Sequence, residues 1–553
     1  MSNDAVSFNL MDRPWIPVTM LADGSHRELS IMETLASSNR IRSIDGDIPL
    51  QRFALSRMLI SMLYSIFGDD LSMEEWRTLF DHGVADPEIM DMIRDYCDEW
   101  RSRFDLFDDT APFYQTAGLH TEKHETSGLE RLILDVPNGE RFFTTRSGSG
   151  LRSMRAAEAA RWLVTTQAYD ASGIKSGAVG DPRVKGGKGY PIGVAWTGHI
   201  GGYLVEGANL WQTLMLNYVS RNVFELGEDP QWNDDVPAWE REPSTPQTVD
   251  NLDQPVERTG DTSFFHGPAT LMTWQSRRIL LAHHDETVTG VLICNGDRIK
   301  PQNAHHHEMM TGWRRSDSQE KALKRPLVYM PRKHDPSRAL WRGLPSLTRG
   351  EEATAGDTTI RPYTLKWLDQ VCERRTLPVR LHAFGLVYGN NDAVIDASID
   401  DILDLDLAVI TSRDPDLGQL LKDAVNAADA GIAALGNLAA NIALCEGVPT
   451  DSPRRQAEES GYSAFDEAFR RWVRTIGPDS DLAGLRRDWN HQAKRLLLKL
   501  GSQLMAHASP RAIVGRTVTD GKDKTKSTYY DAALVDIWFR SRLNTIFDTQ
   551  ERD

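Results

Sequence analysis

Residues 421–442, LKDAVNAADAGIAALGNLAANI, decide the fold. Leu421, Val425, Ala428, Ile432, Leu435, Ala439 and Ile442 recur every three or four positions. That spacing lines one face of an α-helix with apolar side chains and requires a partner surface to bury them. Partners follow directly. Ser463 with Asp466 is read as the opening of a second helix carrying Phe465, Phe469, Trp472 and Ile476, stopped at Gly477-Pro478. A third carries Leu482, Leu485, Trp489, Leu496, Leu500 and Leu504, and a fourth runs from about 528 to 547. Four apolar-faced helices with short or moderate connections predict a four-helix bundle over residues 406–553.

Upstream the pattern changes. Phe8–Leu21 and Ser25–Ile31 read as two strands joined at Asp23-Gly24. Leu50–Phe67 is an apolar helix closed by Gly68, and Pro87–Phe104 an acidic one. Further helices are expected over Met154–Gln167 and Leu204–Tyr218, with short strands over Phe264–Ile299. The predicted fold class is therefore α+β: a large mixed N-terminal α/β domain over residues 1–405, then the bundle. An acidic run, Asp392–Asp416, with eight Asp and one Arg, marks the expected boundary.

The 553 residues, 40% hydrophobic and 26% charged with 15 Trp, are globular in composition. The N-terminus lacks the pattern of a signal peptide, and Phe53–Phe67 is interrupted by Arg57 and too short to cross a bilayer. A cytoplasmic protein without membrane attachment is expected. Cys97, Cys294, Cys372 and Cys445 form no CxxC pair, so free thiols are expected rather than a disulfide framework. The net charge of −16 argues against non-specific nucleic-acid binding, so any such role rests on confined basic segments.

Catalytic motifs fall short. His307-Glu308-Met309-Met310-Thr311 lacks the second histidine that a zinc-binding helical face needs at i+4. His305, His306 and His307 with His283, His284 and Asp285, and the pairs His284-Asp285 and His334-Asp335, leave a metal-dependent nuclease or phosphohydrolase as an alternative. Neither a P-loop nor a GxSxG elbow occurs around Lys175-Ser176 or Gly148-Ser149-Gly150. Basic segments are more suggestive. Residues 172–189 hold six glycines and four Lys/Arg against one Asp. Such a loop lets backbone N–H groups approach phosphates while Lys175, Arg183, Lys185 and Lys188 neutralise charge, or is simply an exposed loop. Arg141-Phe142-Phe143-Thr144-Thr145-Arg146 sets an aromatic pair between arginines, fit to stack on bases or to anchor a core. Arg314–Arg349 carries ten Lys/Arg against three Asp/Glu. Arg487, His491, Lys494 and Arg495 form a basic stripe on the third bundle helix, suited to a nucleic-acid backbone or to solvent. Arg511, Arg516, Lys522, Lys524 and Lys526 follow it.

Several short motifs, in order, resemble the CasA family of type I-E Cascade. They are NLMDRPWIPV at Asn9–Val18, Pro112-Phe113-Tyr114-Gln115-Thr116, Phe143-Thr144-Thr145-x-x-Gly-x-Gly, Lys185-Gly186-Gly187, Trp274-Gln275 with Ile279-x-Leu281, and Tyr388-Gly389-Asn390-Asn391-Asp392-Ala393. The resemblance spans essentially the whole chain. It implies a non-catalytic large subunit of a crRNA-bearing complex. That subunit recognises the protospacer-adjacent motif of duplex DNA from the minor groove, promotes strand separation and supports recruitment of a helicase-nuclease. It also implies roles for residues: Asn391, Asp392 and Ala393 in a minor-groove hairpin, Lys300 as a minor-groove lysine, Phe143, Thr144 and Thr145 in a DNA-sensing loop, and Ala171, Ser172, Gly173 and Ile174 as a glycine loop. Arg487, Lys494 and Arg495 on the bundle face would meet displaced or target DNA, or neighbouring subunits. Asp392 departs from the family's glutamine wedge. No cofactor is expected, and no structural zinc is assumed. An assembly scaffold without DNA contact is the other alternative.

Overall fold

The computed structural model describes residues 6–136, 148–224, 232, 234–247, 266–349, 358–372, 375–519 and 527–548. The chain divides into two units, one of Met1–Arg338, Ala353–Glu373 and Pro378–Ile402, the other of Ala339–Glu352, Arg374–Leu377 and Leu403–Asp553. The second thus gathers two excursions that lie ahead of the bundle in sequence.

The first unit opens on an antiparallel sheet of β1 (Ile16–Met20), β2 (His26–Leu29) and β3 (Ile41–Ile44), in the order β2-β1-β3. The strands are shorter than the sequence suggests, because Asn9–Arg13 folds into a turn, with Arg13 N–H donating to the Asn9 carbonyl. Helix α1 (Pro49–Phe67) is buried almost all round. Arg57, which interrupts its apolar run, is itself buried: its guanidinium makes two 2.8 Å bonds to the Glu308 carboxylate, which also accepts from Trp196 Nε1. Helix α2 (Ala156–Tyr169) begins two residues later than expected. The expected helix at 204–218 divides: Gly202–Glu206 is a buried strand, β6, and Asn209 caps a helix over Leu210–Asn217. Before it come the short strands β4 (Lys175–Ser176) and β5 (Lys188–Gly189).

β7 (Arg277–His284) and β8 (Thr287–Asn295) form an antiparallel hairpin, and β8 also receives β4 in parallel through Ser176–Cys294. β9 (Pro378–Tyr388) is the buried centre of a second sheet, ordered β10-β9-β6, with Leu381 opposite Val205 and Ala383 opposite Tyr203. β10 (Ile395–Asp406) lies within the acidic run, and the division between the units at Ile402 and Leu403 falls inside it. Ile395, Ile399, Leu403 and Leu405 are interspersed with Asp and Ser, so this part of the run is an edge strand with a charged outer face, which discourages pairing with another chain.

The second unit is built on α3 (Pro415–Glu446), surrounded by α4 (Asp451–Val473), α5 (Leu482–Ala506) and α6 (Ala532–Phe547). All seven apolar positions named in α3 are buried. By length and composition alone α3 would suit a membrane, yet 67% of its most apolar stretch is buried in the unit, as befits a core helix. Three expectations need correction. α4 begins at Asp451, and Ser463 lies mid-helix, because the helix's first half is polar and mostly faces water, so no apolar period announces it. In α5 the buried stripe is Trp489, Ala493, Leu497 and Gly501, whereas Leu496, Leu500 and Leu504 are half-buried. Small residues set that face: a Cβ at Gly501 would run into the Phe539 ring, and one at Gly431 into Leu497. The fourth helix starts at Ala532, since Ser527–Tyr530 is a strand paired with Arg516–Thr519. The four cysteines are buried free thiols.

Candidate nucleic-acid interface

β9 and β10 are joined by a tight exposed turn. Gly389 N–H donates to Val394 O at 2.9 Å and Asp392 N–H to Gly389 O at 2.8 Å. Asn391 and Asp392 both take left-handed backbone, at φ 54° and 56°. Asn and Asp are the non-glycine residues that adopt it most readily. A Cβ at Gly389 would meet the carboxylate of exposed Asp396, which would have to turn aside. Asn391 and Asp392 are exposed and Ala393 is half-buried.

A second segment meets this turn. Ser172 N–H donates to the Asp392 carbonyl at 2.8 Å, so Ala171–Ile174 and Asn391–Ala393, 220 positions apart, form one surface. Beneath it lies a charged post. Arg277, buried, donates from Nε to Asp170 Oδ2 at 2.5 Å, and from Nη2 to the carbonyls of Ala171 at 3.2 Å and Gly193 at 2.8 Å. Lys175 Nζ reaches the same Asp170 oxygen at 2.6 Å. Burial penalises the Asp170 carboxylate, but Lys175 and Arg277 outweigh it and hold its pKa below the ordinary value. Tyr388 Oη donates to Tyr169 O at 2.6 Å, tying the hairpin's root to the end of α2. Gly198 makes room for that hydroxyl. At the tip, Gly173 has φ 137° and Ile174 is 56% exposed.

Lys333 completes the surface. Its Nζ sits 5.3 Å from the centroid of the Tyr388 ring. Burial lowers its pKa, and the Asp392 charge opposes that shift. His199 is half-buried, and enclosure first, then the nearby Lys333, Arg298 and Arg277 charges, push its pKa down to about 3, so it is neutral. The sequence reading named Lys300 and did not single out Lys333, which lies in the basic segment 314–349; nothing in a linear reading points from that segment to Asp392. Lys300 is half-buried in irregular chain beside Ile299, which belongs to a core cluster with Trp196 and Trp313.

Other assignments change. Lys175 pairs with Asp170 and is largely enclosed, while Arg183 pairs with Asp181 and stays one-third exposed (33%). Lys185 and Lys188 are exposed around Gly186 and Gly187, both at positive φ. Phe143, Thr144 and Thr145 lie outside the described residues. In the second unit Arg487 and Arg495 are exposed, whereas Lys494 pairs with Asp548 at 2.6 Å. His305, His306 and His307 are shielded, and burial first among the causes pushes His306 to about 4 and His307 to about 3. His283 stacks on Phe107, and His334 bonds to the Gly202 carbonyl. Among the described residues, no group of three or more His, Cys, Asp or Glu is placed to hold a metal ion.

Comparison with known proteins gives a consistent picture. A solved structure of Cse1 from Thermobifida fusca is 40% identical, covers 99% of both chains and superposes with a TM-score of 0.87. A protein of Thermus thermophilus described as CRISPR-associated protein CasA/Cse1 is 28% identical over 312 residues, which span 56% of this chain and 55% of that protein. A chain from a structure described as a CRISPR RNA-guided surveillance complex has the same fold, with a TM-score of 0.66 at 19% identity over 97% of this chain and 99% of that one. The model of the CRISPR-associated protein Cse1 family matches residues 9–500, and the chain belongs to that family.

Proposed function

We propose that this protein is the large subunit of an RNA-guided CRISPR surveillance complex of the type I-E Cascade kind, acting by binding rather than catalysis. It works in the cytoplasm, without a cofactor, beside crRNA-bearing subunits. It reads the protospacer-adjacent motif of duplex DNA from the minor groove, promotes strand separation into an R-loop and supports recruitment of a helicase-nuclease. The observation that carries this reading is the Ser172–Asp392 backbone bond, which joins the two segments that the family resemblance separately assigns to DNA.

The physics supports it. Minor-groove patterns are degenerate, so a few small contacts suffice for a short motif, and guide pairing supplies the rest of the sequence reading. Asn391 offers a carboxamide to base edges and Ala393 permits close approach. Lys333, beside the turn, takes the role that the resemblance gave to Lys300, and its charge partly offsets the repulsion between Asp392 and phosphates. Phe143–Thr145 engage the motif-proximal DNA, and the exposed Lys185-Gly186-Gly187-Lys188 turn and the Arg487 and Arg495 face add backbone contacts.

The test uses the assembled complex and duplexes with and without a candidate motif. Asn391→Gly keeps the left-handed turn and removes the carboxamide, and Ala393→Val adds bulk. Together they should reduce motif preference at least tenfold without loss of assembly. An unchanged preference rejects the hairpin assignment. If a complex lacking the subunit discriminates equally well, the subunit is a scaffold and the proposal fails.

A further inference from the structure

Away from the hairpin turn, the first unit contains a cavity of about 370 Å³. Its size falls within the range of small-molecule sites. Phe113–Gln115, Trp239, Arg241–Thr245, Trp274, Gln275 and Arg278 are among the residues that line it. Two tryptophans, Trp239 and Trp274, supply aromatic wall, with their indole N–H groups committed elsewhere: Trp239 Nε1 donates to Tyr96 Oη at 2.8 Å and Trp274 Nε1 to Asp297 O at 3.0 Å. The rings are therefore held in fixed orientations.

The charged lining is three guanidiniums against two carboxylates: Arg103, Arg241 and Arg278 against Glu242 and Asp297. Arg278 is bound to Asp297 and to the Thr245 carbonyl, and Arg241 to the Val236 carbonyl and Thr270. Arg103 is different. It donates from Nη1 to the Arg241 carbonyl at 3.0 Å and has the Glu242 and Asp108 charges near it, while its buried Nε has no hydrogen-bond partner among the described residues. An unmet buried guanidinium donor costs free energy, and an anionic oxygen is its strongest acceptor.

We infer that this cavity binds a single nucleotide, with the planar base against the tryptophans and the phosphate toward Arg103. The rings favour a flat π-system, and the unmet Arg103 donor favours an anionic oxygen attached to it. The same chemistry is offered by a free nucleotide and by a residue unstacked from a strand. The cavity stands apart from the motif-reading surface, since it shares none of the residues assigned there.

The test titrates the purified full chain with AMP, adenosine, inorganic phosphate and an oligodeoxyadenylate, by calorimetry and thermal shift. AMP should bind saturably, at least tenfold tighter than adenosine or phosphate. Arg103→Gln should weaken AMP at least tenfold. Gln275→Glu, which adds a carboxylate to the half-buried lining without removing any cation, should do the same should the first variant fold poorly. Competition between AMP and the oligonucleotide identifies a strand as a source, and AMP binding without competition identifies the free nucleotide. The inference is overturned if neither AMP nor the oligonucleotide binds saturably, or if AMP binding survives both variants.

Discussion

Two basic regions invite comparison: the turn surface of the first unit and the exposed face of α5 in the second. In the first, Arg277 is buried and every cation has a fixed reference: Arg277 on Asp170, Lys175 on the same carboxylate, Lys333 over Tyr388. In the second, Arg487 lies 3.9 Å from Asp481 and Arg495 stands in solvent. A base reader must hold its atoms to within fractions of an ångström, whereas a phosphate tracker needs only charge in the right neighbourhood. Under the proposed function, the contrast separates a surface fit for reading from one suited to holding.

The largest effect should come from the post. Arg277→Met leaves Asp170 paired only with Lys175 and strips the Ala171 and Gly193 carbonyls of their buried donor, and should destabilise the protein by about 2–4 kcal/mol in denaturant unfolding. A loss below 1 kcal/mol would show that the turn surface has no rigid base. Next is Lys333→Met, expected to weaken motif-bearing duplex about tenfold, roughly 1.4 kcal/mol. Unchanged binding would confine Lys333 to screening Asp392.

A pH dependence sharpens the comparison from beneath the sheet. His382 Nδ1 lies 2.8 Å from Glu206, and Nε2 bonds to Asp400. Burial alone would lower the His382 pKa, but the bonds to Asp400 and Glu206 outweigh it and raise it. That stability is full below the unfolded histidine value and is lost as pH rises through the folded one. Burial would raise the Glu206 pKa, yet His382 first, then Arg52, lowers it, so this share is lost as pH falls through the folded carboxyl value. Stability should therefore decline on both sides, and His382→Gln should flatten the alkaline limb, at a cost of about 1–3 kcal/mol near neutrality. An alkaline limb unchanged in that variant would place the titration elsewhere. The smallest effect should be Arg487→Ala with Arg495→Ala. Stability should move by less than about 0.5 kcal/mol. DNA affinity should fall equally for all sequences, with the salt slope reduced by about 0.9 for each duplex phosphate no longer neutralised. A change in motif preference would make the α5 face a reader as well.

How much of this was legible beforehand follows from the range of the interactions involved. α3 was plain because its seven apolar positions repeat locally and the helix is the bundle's centre. α4 lost half its length to a polar face, and α5 lost its true stripe because Ala493 and Gly501 carry too little apolar bulk to outvote neighbouring leucines. The turn at Asn391 was found through resemblance, and its glycine and paired left-handed residues agree with the turn chemistry. What no local pattern encodes is the meeting of Ser172 with Asp392, or of Lys175 with Asp170 and Arg277. Lys175 read as a free cation because the cost of burying it, and the carboxylate that offsets that cost, exist only once β4 is laid beside β8.

The consecutive left-handed residues at the tip also limit how this surface can diversify. At 391 and 392 every substitution other than Gly, Asn or Asp costs about 1–2 kcal/mol per residue before any DNA is met. Retargeting libraries should therefore randomise 390, 393 and 174 freely while restricting 391 and 392 to that three-letter alphabet. In such a lineage, new motif choice would arise at the flanks of the turn while its crest stayed nearly constant.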